Sequence, residues 1–190
     1  SYITGQGPFD YGIMITASHN PYTDNGIKLF DKNGEKLPQE NERDIESLFF
    51  RSGDREAPSI TELPPCPEST GNRGESVSHA LAMYERFLSE RGKELPGLRV
   101  VLDCANGATY DIAPRVCKAA GLDVIVTHAS PDGKNINRDC GSMHLDKLKE
   151  AVIANGADLG IAFDGDGDRV LMVDANGRNL DGDHVIYIMT

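Results

Sequence analysis

From about residue 98 onward, short apolar runs alternate with helix-period segments, and this alternation limits the possible folds more than any other feature. "LRVVLDCA" (98–105), "LDVIVTHA" (122–129) and "ADLGIAFD" (157–164) read as strands. Between them, "TYDIAPRVCKAAG" (109–121) reads as a helix closed by Gly121. "LDKLKEAVIANG" (145–156) reads as another, with Leu145, Leu148, Val152 and Ile153 inward and Gly156 at its end. Strand–helix alternation argues for an α/β layer with parallel neighbouring strands. A helix over about 76–91 precedes it, with Val77, Leu81, Tyr84 and Leu88 on one stripe. "RVLMVDANGRNL" (169–180) reads as a hairpin around Asn176-Gly177, and "DGDHVIYIMT" (181–190) starts a last helix.

The first part of the chain is organised differently. It opens almost directly on strand-like sequence, without an initiator Met, and is expected to be a piece of something longer. "GIMITA" (12–17) and "NGIKLF" (25–30) read as strands, and Asn33-Gly34 favours a tight hairpin turn. Pro38 can open a helix over "QENERDIESLFF", with Ile45, Leu48 and Phe49 on one face. Residues 52–75 hold Pro58, Pro64, Pro65 and Pro67, a density that breaks regular structure. The expected domains are therefore 1–75 and 76–190.

Composition removes several function classes. The net charge of −11 argues against a nucleic-acid partner, which needs clustered positive charge. A phosphorylated substrate is still open to an acidic protein that supplies a metal or a few placed cations. No apolar run approaches the ~18 residues of a membrane span, and no signal peptide is visible. Cys66, Cys104, Cys117 and Cys140 form no C-x-x-C pair and read as free thiols in a reducing, cytoplasmic setting.

The most informative stretch is "FDGDGDR" (163–169). Asp164, Asp166 and Asp168 alternate with Gly165 and Gly167 at the end of a strand. Carboxylates this close repel one another unless a cation sits between them. The glycines let the backbone bend so that the acids converge. Hard oxygen ligands select Mg²⁺ or Ca²⁺, with Mn²⁺ also open. Three carboxylates leave coordination positions for water or a phosphate oxygen, and Arg169 could hold that phosphate. The ordinary alternative is a solvated Asp/Gly turn. An EF-hand is excluded, because its positions 6 and 12 would fall on Arg169 and Ala175.

"ITASHNP" (15–21) is the second candidate. Ser18 lies where the "GIMITA" strand ends, and Pro21 keeps Asn20 out of helical geometry. A serine hydroxyl needs a base or an electrostatic partner to act as a nucleophile. Side chains adjacent on an extended backbone point apart, so His19 is not an obvious base for Ser18. No G-x-S-x-G elbow surrounds Ser18, which argues against a serine hydrolase. Taken singly, Ser18 is an ordinary surface residue, His19 a loop hydrogen-bonder and Lys28 a solvated strand lysine. A phosphate on Ser18 could fill the positions that the three aspartates leave open, which would make the two loops one site.

"TASHNP", "DNGIK" and "DGDGDR" resemble the motifs of the α-D-phosphohexomutase family. The resemblance covers essentially the whole chain. It implies two three-layer α/β/α domains with mixed, largely parallel sheets: the latter part of the family's first domain and nearly all of its second. It also implies a phosphoserine at Ser18 and Mg²⁺ held by Asp164, Asp166 and Asp168 together with that phosphoserine. Arg169 then contacts phosphate, Lys28 matches a lysine assigned to proton transfer, and His19 matches an active-site histidine. The implied reaction moves a phosphoryl group between the 6- and 1-positions of a hexose phosphate through a bisphosphorylated sugar. "DCANGATYDIAP", "PDGKNIN", "CGSMH" and "DGDH" resemble the branch acting on glucosamine phosphates, and the branch acting on mannose and glucose phosphates is the alternative. The family's sugar-reading G-E-x-S-G and phosphate-binding R-x-S-G-T loops do not occur in these 190 residues. The piece alone is accordingly expected to be inactive, and a non-catalytic metal- or phosphosugar-binding module is the competing class. A homodimer of the full-length parent is compatible with the resemblance.

Overall fold

A computed structural model describes residues 1–51, 73–92, 95 and 97–189. The proline-rich segment, Cys66 and the side chain of Phe49 lie outside the described residues. The elements are α1 (Tyr2–Gln6), β1 (Gly12–Thr16), β2 (Gly26–Phe30), α2 (Gln39–Arg51), α3 (Arg73–Ser89), β3 (Arg99–Asp103), α4 (Ile112–Ala119), β4 (Asp123–Thr127), α5 (Asp146–Asn155), β5 (Leu159–Phe163), β6 (Val170–Asp174), β7 (Asn179–Leu180) and α6 (Gly182–Met189). By contacts the chain divides into two compact units: residues 1–14 with 28–84, and residues 15–27 with 85–190. β1 and β2 pair as a two-stranded sheet.

In the first unit, the strand-like opening expected from the sequence is instead the helix α1. Its N–H groups of Gly5 and Gly7 donate to the carbonyls of Ser1 and Ile3, each at 3.0 Å. The cause is packing that the local pattern does not carry. A Cβ on Gly5 would lie 2.4 Å from the Asn33 carbonyl oxygen, so only glycine lets the helix rest on that turn. The turn itself forms as expected. Gly34 has φ +79°, Phe30 bridges Lys36 in antiparallel fashion, and the Asp31 carboxylate accepts the N–H groups of Asn33 and Glu35. On α3, Val77 and Leu81 are exposed rather than part of a covered stripe.

The second unit holds a five-stranded mixed sheet in the order β4-β3-β5-β6-β7. β3 runs parallel to β4 and β5, while β5–β6 and β6–β7 are antiparallel. Alternation along β3 builds the layers. Val101 faces a core with Leu148 and Val152 of α5, and Val100 and Leu102 face a second core that includes Ala113 and Cys117 of α4. Helices therefore cover both faces. α5 sits close because Gly160 has no side chain; a Cβ there would lie 2.7 Å from the Val152 side chain. Gly156 ends α5 at φ +57°, as expected, but Ile153 points to solvent at 60% exposure instead of inward. The hairpin at Asn176-Gly177 also forms, with Gly177 at φ +79°. Among the described residues no helix is long and apolar enough to cross a membrane.

Candidate phosphate and metal site

Two loops of the second unit meet. The acidic loop, 164–169, joins the antiparallel strands β5 and β6, so the sheet itself holds both its ends. The Asp164 N–H donates to the Arg169 carbonyl at 3.2 Å across its neck, and Gly167 takes φ +72° within it. Asp164, Asp166 and Asp168 converge, each offering a carboxylate oxygen within 4.8 Å of the others. Asp164 is fully buried, and burial pushes its carboxyl above the usual carboxylate range. The charges of Asp166 and Asp168 push in the same direction, against a hydrogen bond from the Arg169 backbone. Charge crowding of this kind, in an all-oxygen donor set, fits a divalent cation.

The serine loop follows β1. Ser18 adopts φ +52°, a left-handed conformation uncommon outside glycine. The Thr16 hydroxyl accepts the Ser18 N–H at 2.8 Å and donates to Asp166 Oδ2 at 3.1 Å. From the other side, the Asn137 side-chain amide donates to the carbonyls of Ser18 and Asn20, both at 2.8 Å. Gly165 lies against this loop, and a Cβ on it would come 2.4 Å from the Ser18 carbonyl oxygen.

Arg169 links the loops. Its Nη2 donates to Ser18 Oγ at 3.0 Å and its Nε to Asp164 Oδ2 at 3.1 Å. It also donates to His19 Nδ1. His19 Nδ1 lies 3.5 Å from Ser18 Oγ, too long for an effective hydrogen bond. The left-handed turn at Ser18 brings these neighbours to one side, contrary to the extended backbone expected from the sequence. His19 also borders a cavity of about 520 Å³ whose lining includes Tyr22, Lys134, Arg138, Asp139 and His144.

Ser18, His19, Arg169 and the three aspartates are thus brought together. Lys28 is half-buried on β2 and belongs to the first unit. Thr16 and Asn137 were missed by sequence reasoning, although both lie in the quoted motifs "TASHNP" and "PDGKNIN".

A second cluster, Asp103, His128 and Cys140, also has ligand-type atoms within 4.8 Å. Here the buried Asp103 carboxylate accepts the N–H groups of Ala105 and Gly141 at 2.9 and 3.0 Å and lies 3.1 Å from His128 Nδ1. Burial pushes the Cys140 thiol up to about 12, so it is a poor thiolate donor. This cluster ties together the loops after β3 and β4.

Comparison with known proteins identifies the family and the fold. Residues 77–177 match the family model "Phosphoglucomutase/phosphomannomutase, alpha/beta/alpha domain II", and residues 1–56 match that of domain I. A phosphoglucosamine mutase of Deinococcus deserti is 44% identical over 191 residues, covering 99% of this chain and 41% of the relative. One from Pseudomonas entomophila is 45% identical over 194 residues, covering 100% and 41%. The chain thus spans about two fifths of the length of these curated relatives. A solved phosphoglucomutase/phosphomannomutase family protein from Burkholderia thailandensis superposes with a TM-score of 0.71 at 23% identity, covering 99% of this chain and 40% of that one.

Proposed function

Because the chain belongs to the phosphoglucomutase/phosphomannomutase family, we propose that the complete protein is a phosphosugar mutase in which Ser18 carries the transferred phosphoryl group. The observation that carries this reading is Arg169, which reaches Ser18 Oγ and Asp164 Oδ2 with one guanidinium. In the first half-reaction the bond from Ser18 Oγ to phosphorus breaks as a bond from phosphorus to a sugar hydroxyl oxygen forms. The hydroxyl proton passes to a base, for which Lys28 is the proposed group. The resulting bisphosphorylated sugar turns end for end and returns its other phosphoryl group to Ser18, which restores the phosphoserine. Such transfer depends mainly on positioning and charge neutralisation. Asp164, Asp166 and Asp168 would hold the metal, taken as Mg²⁺ from the hard donor set, with the Ser18 phosphate as a further ligand. When bound, the ion neutralises negative charge on the phosphoryl oxygens. Arg169 offsets the one negative charge left by three carboxylates and a divalent ion.

The substrate proposed is glucosamine 6-phosphate, converted to glucosamine 1-phosphate; the relatives named phosphoglucosamine mutase favour it over glucose or mannose phosphates. The division into domains 1–75 and 76–190 is likewise proposed, supported by family matches that end at 56 and resume at 77. The test is intact-mass analysis with turnover assays of the full-length protein. Wild type should carry one phosphoryl group on Ser18 and prefer glucosamine phosphate. Ser18→Ala should carry none and be inactive. An unmodified but fully active Ser18→Ala enzyme would end this reading.

A further inference from the structure

We propose that Thr16 and Asn137 are positioning residues that hold Ser18 in its left-handed conformation against the acidic loop. The inference rests on the phosphoryl-transfer reading and adds to it the parts that aim the nucleophile.

A non-glycine residue in the left-handed region is strained, so something must keep Ser18 at φ +52°. The Thr16 hydroxyl has one proton, and that proton goes to Asp166 Oδ2 at 3.1 Å. Its lone pair accepts the Ser18 N–H at 2.8 Å. One hydroxyl therefore fixes the backbone of the nucleophile relative to a proposed metal ligand. Asn137 secures the opposite side, because both of its amide protons are used, on the carbonyls of Ser18 and Asn20. Asn137 is itself well anchored. It is 9% exposed, takes φ +57°, which asparagine tolerates, and its N–H donates to the Ala105 carbonyl at 2.9 Å. Residues 18–20 are thus gripped through N–H and C=O groups alike, while Ser18 Oγ is left to Arg169 at 3.0 Å. Neither Thr16 nor Asn137 touches the reacting oxygen. A misplacement of about 1 Å costs on the order of a hundredfold in such a site, so their effect should fall on kcat.

The test uses the full-length protein, with steady-state kinetics on glucosamine 6-phosphate, thermal melting and hydrogen exchange at the Ser18 amide. Thr16→Val removes the hydroxyl at nearly constant volume, and Thr16→Ser restores it. Asn137→Asp keeps the shape but sets an acceptor against two carbonyls; Asn137→Gly keeps the left-handed backbone without the amide and serves if the aspartate variant does not fold. Thr16→Val and the Asn137 variants should lower kcat by roughly ten- to a hundredfold with KM near wild type. They should also speed exchange at Ser18, and Thr16→Ser should recover most of the loss. Folded variants with wild-type kcat and wild-type exchange overturn the proposal, as does a Thr16→Ser no better than Thr16→Val. If wild type shows neither turnover nor phosphoserine, the mutase reading fails separately, and protection of the Ser18 amide still decides whether the clasp exists.

Discussion

At the residue scale, Arg169 has the most demanding task, because one planar group serves Ser18 and Asp164 at once. A lysine offers a point charge and cannot span both at these distances. Arg169→Lys should therefore lower kcat by about 10² to 10³, the cost of losing one preorganised donor to developing charge. Single-turnover transfer to the sugar measures it, and a rate unchanged from wild type would remove Arg169 from the transfer step. Lys28 belongs to a different test. Lys28→Met should cut turnover by about 10² to 10⁴ if Lys28 is the proton acceptor, with metal affinity unaffected. Near-normal turnover, or a parallel loss of metal binding, argues against that role. Ser18, Arg169 and the three aspartates were legible in the sequence because their chemistry sits in two short motifs. Thr16 and Asn137 were not, because a threonine and an asparagine have no distinctive chemistry until a partner some 120 to 150 residues away is known.

At the scale of elements, strand and helix positions were readable from periodicity, and the turns at Gly34, Gly156 and Gly177 from glycine placement. What periodicity could not give was set by contact between distant segments. α1 depends on the fit of Gly5 against Asn33, and the outward turn of Ile153 shows that a helical stripe predicts a face without fixing its edges. The acidic loop illustrates the same limit: its aspartates were evident, but not that it closes an antiparallel hairpin between β5 and β6. Two outcomes follow from the packing. Leu148→Ala, in the core between α5 and the sheet, should cost about 2–5 kcal/mol in a denaturant titration. A loss under about 1 kcal/mol would mean that α5 is not fixed against the sheet as described. Gly165→Ala should act on the site instead. Its Cβ would lie 2.4 Å from the Ser18 carbonyl oxygen, so the two loops must part, and transfer should fall well below what any loss of stability explains.

At the scale of the whole molecule, a chain with a net charge of −11 gathers three carboxylates into one loop and buries one of them completely. Arg169 offsets one of these three charges, but without a bound ion the buried acid must still ionise beside two like charges or keep its proton, which opposes folding. A divalent ion that binds the folded loop and not the unfolded chain should therefore stabilise the domain around it. At a hundred times its dissociation constant the gain is about 2.7 kcal/mol. For a domain of one to two hundred residues this corresponds to roughly 6–13 °C in midpoint. Calorimetry of the full-length protein with added Mg²⁺ should show that rise in the transition of the domain carrying the acidic loop. Asp166→Asn removes one ligand charge and also one of the like charges crowding Asp164, so it should reduce the rise while leaving the metal-free midpoint at or above that of wild type. The size of the shift separates a site from general screening. Equal amounts of ionic strength supplied as NaCl should give a much smaller shift, because monovalent salt only weakens the repulsion. An Asp166→Asn protein that gains as much from Mg²⁺ as wild type would show that the ion acts elsewhere on this acidic surface and not in the loop.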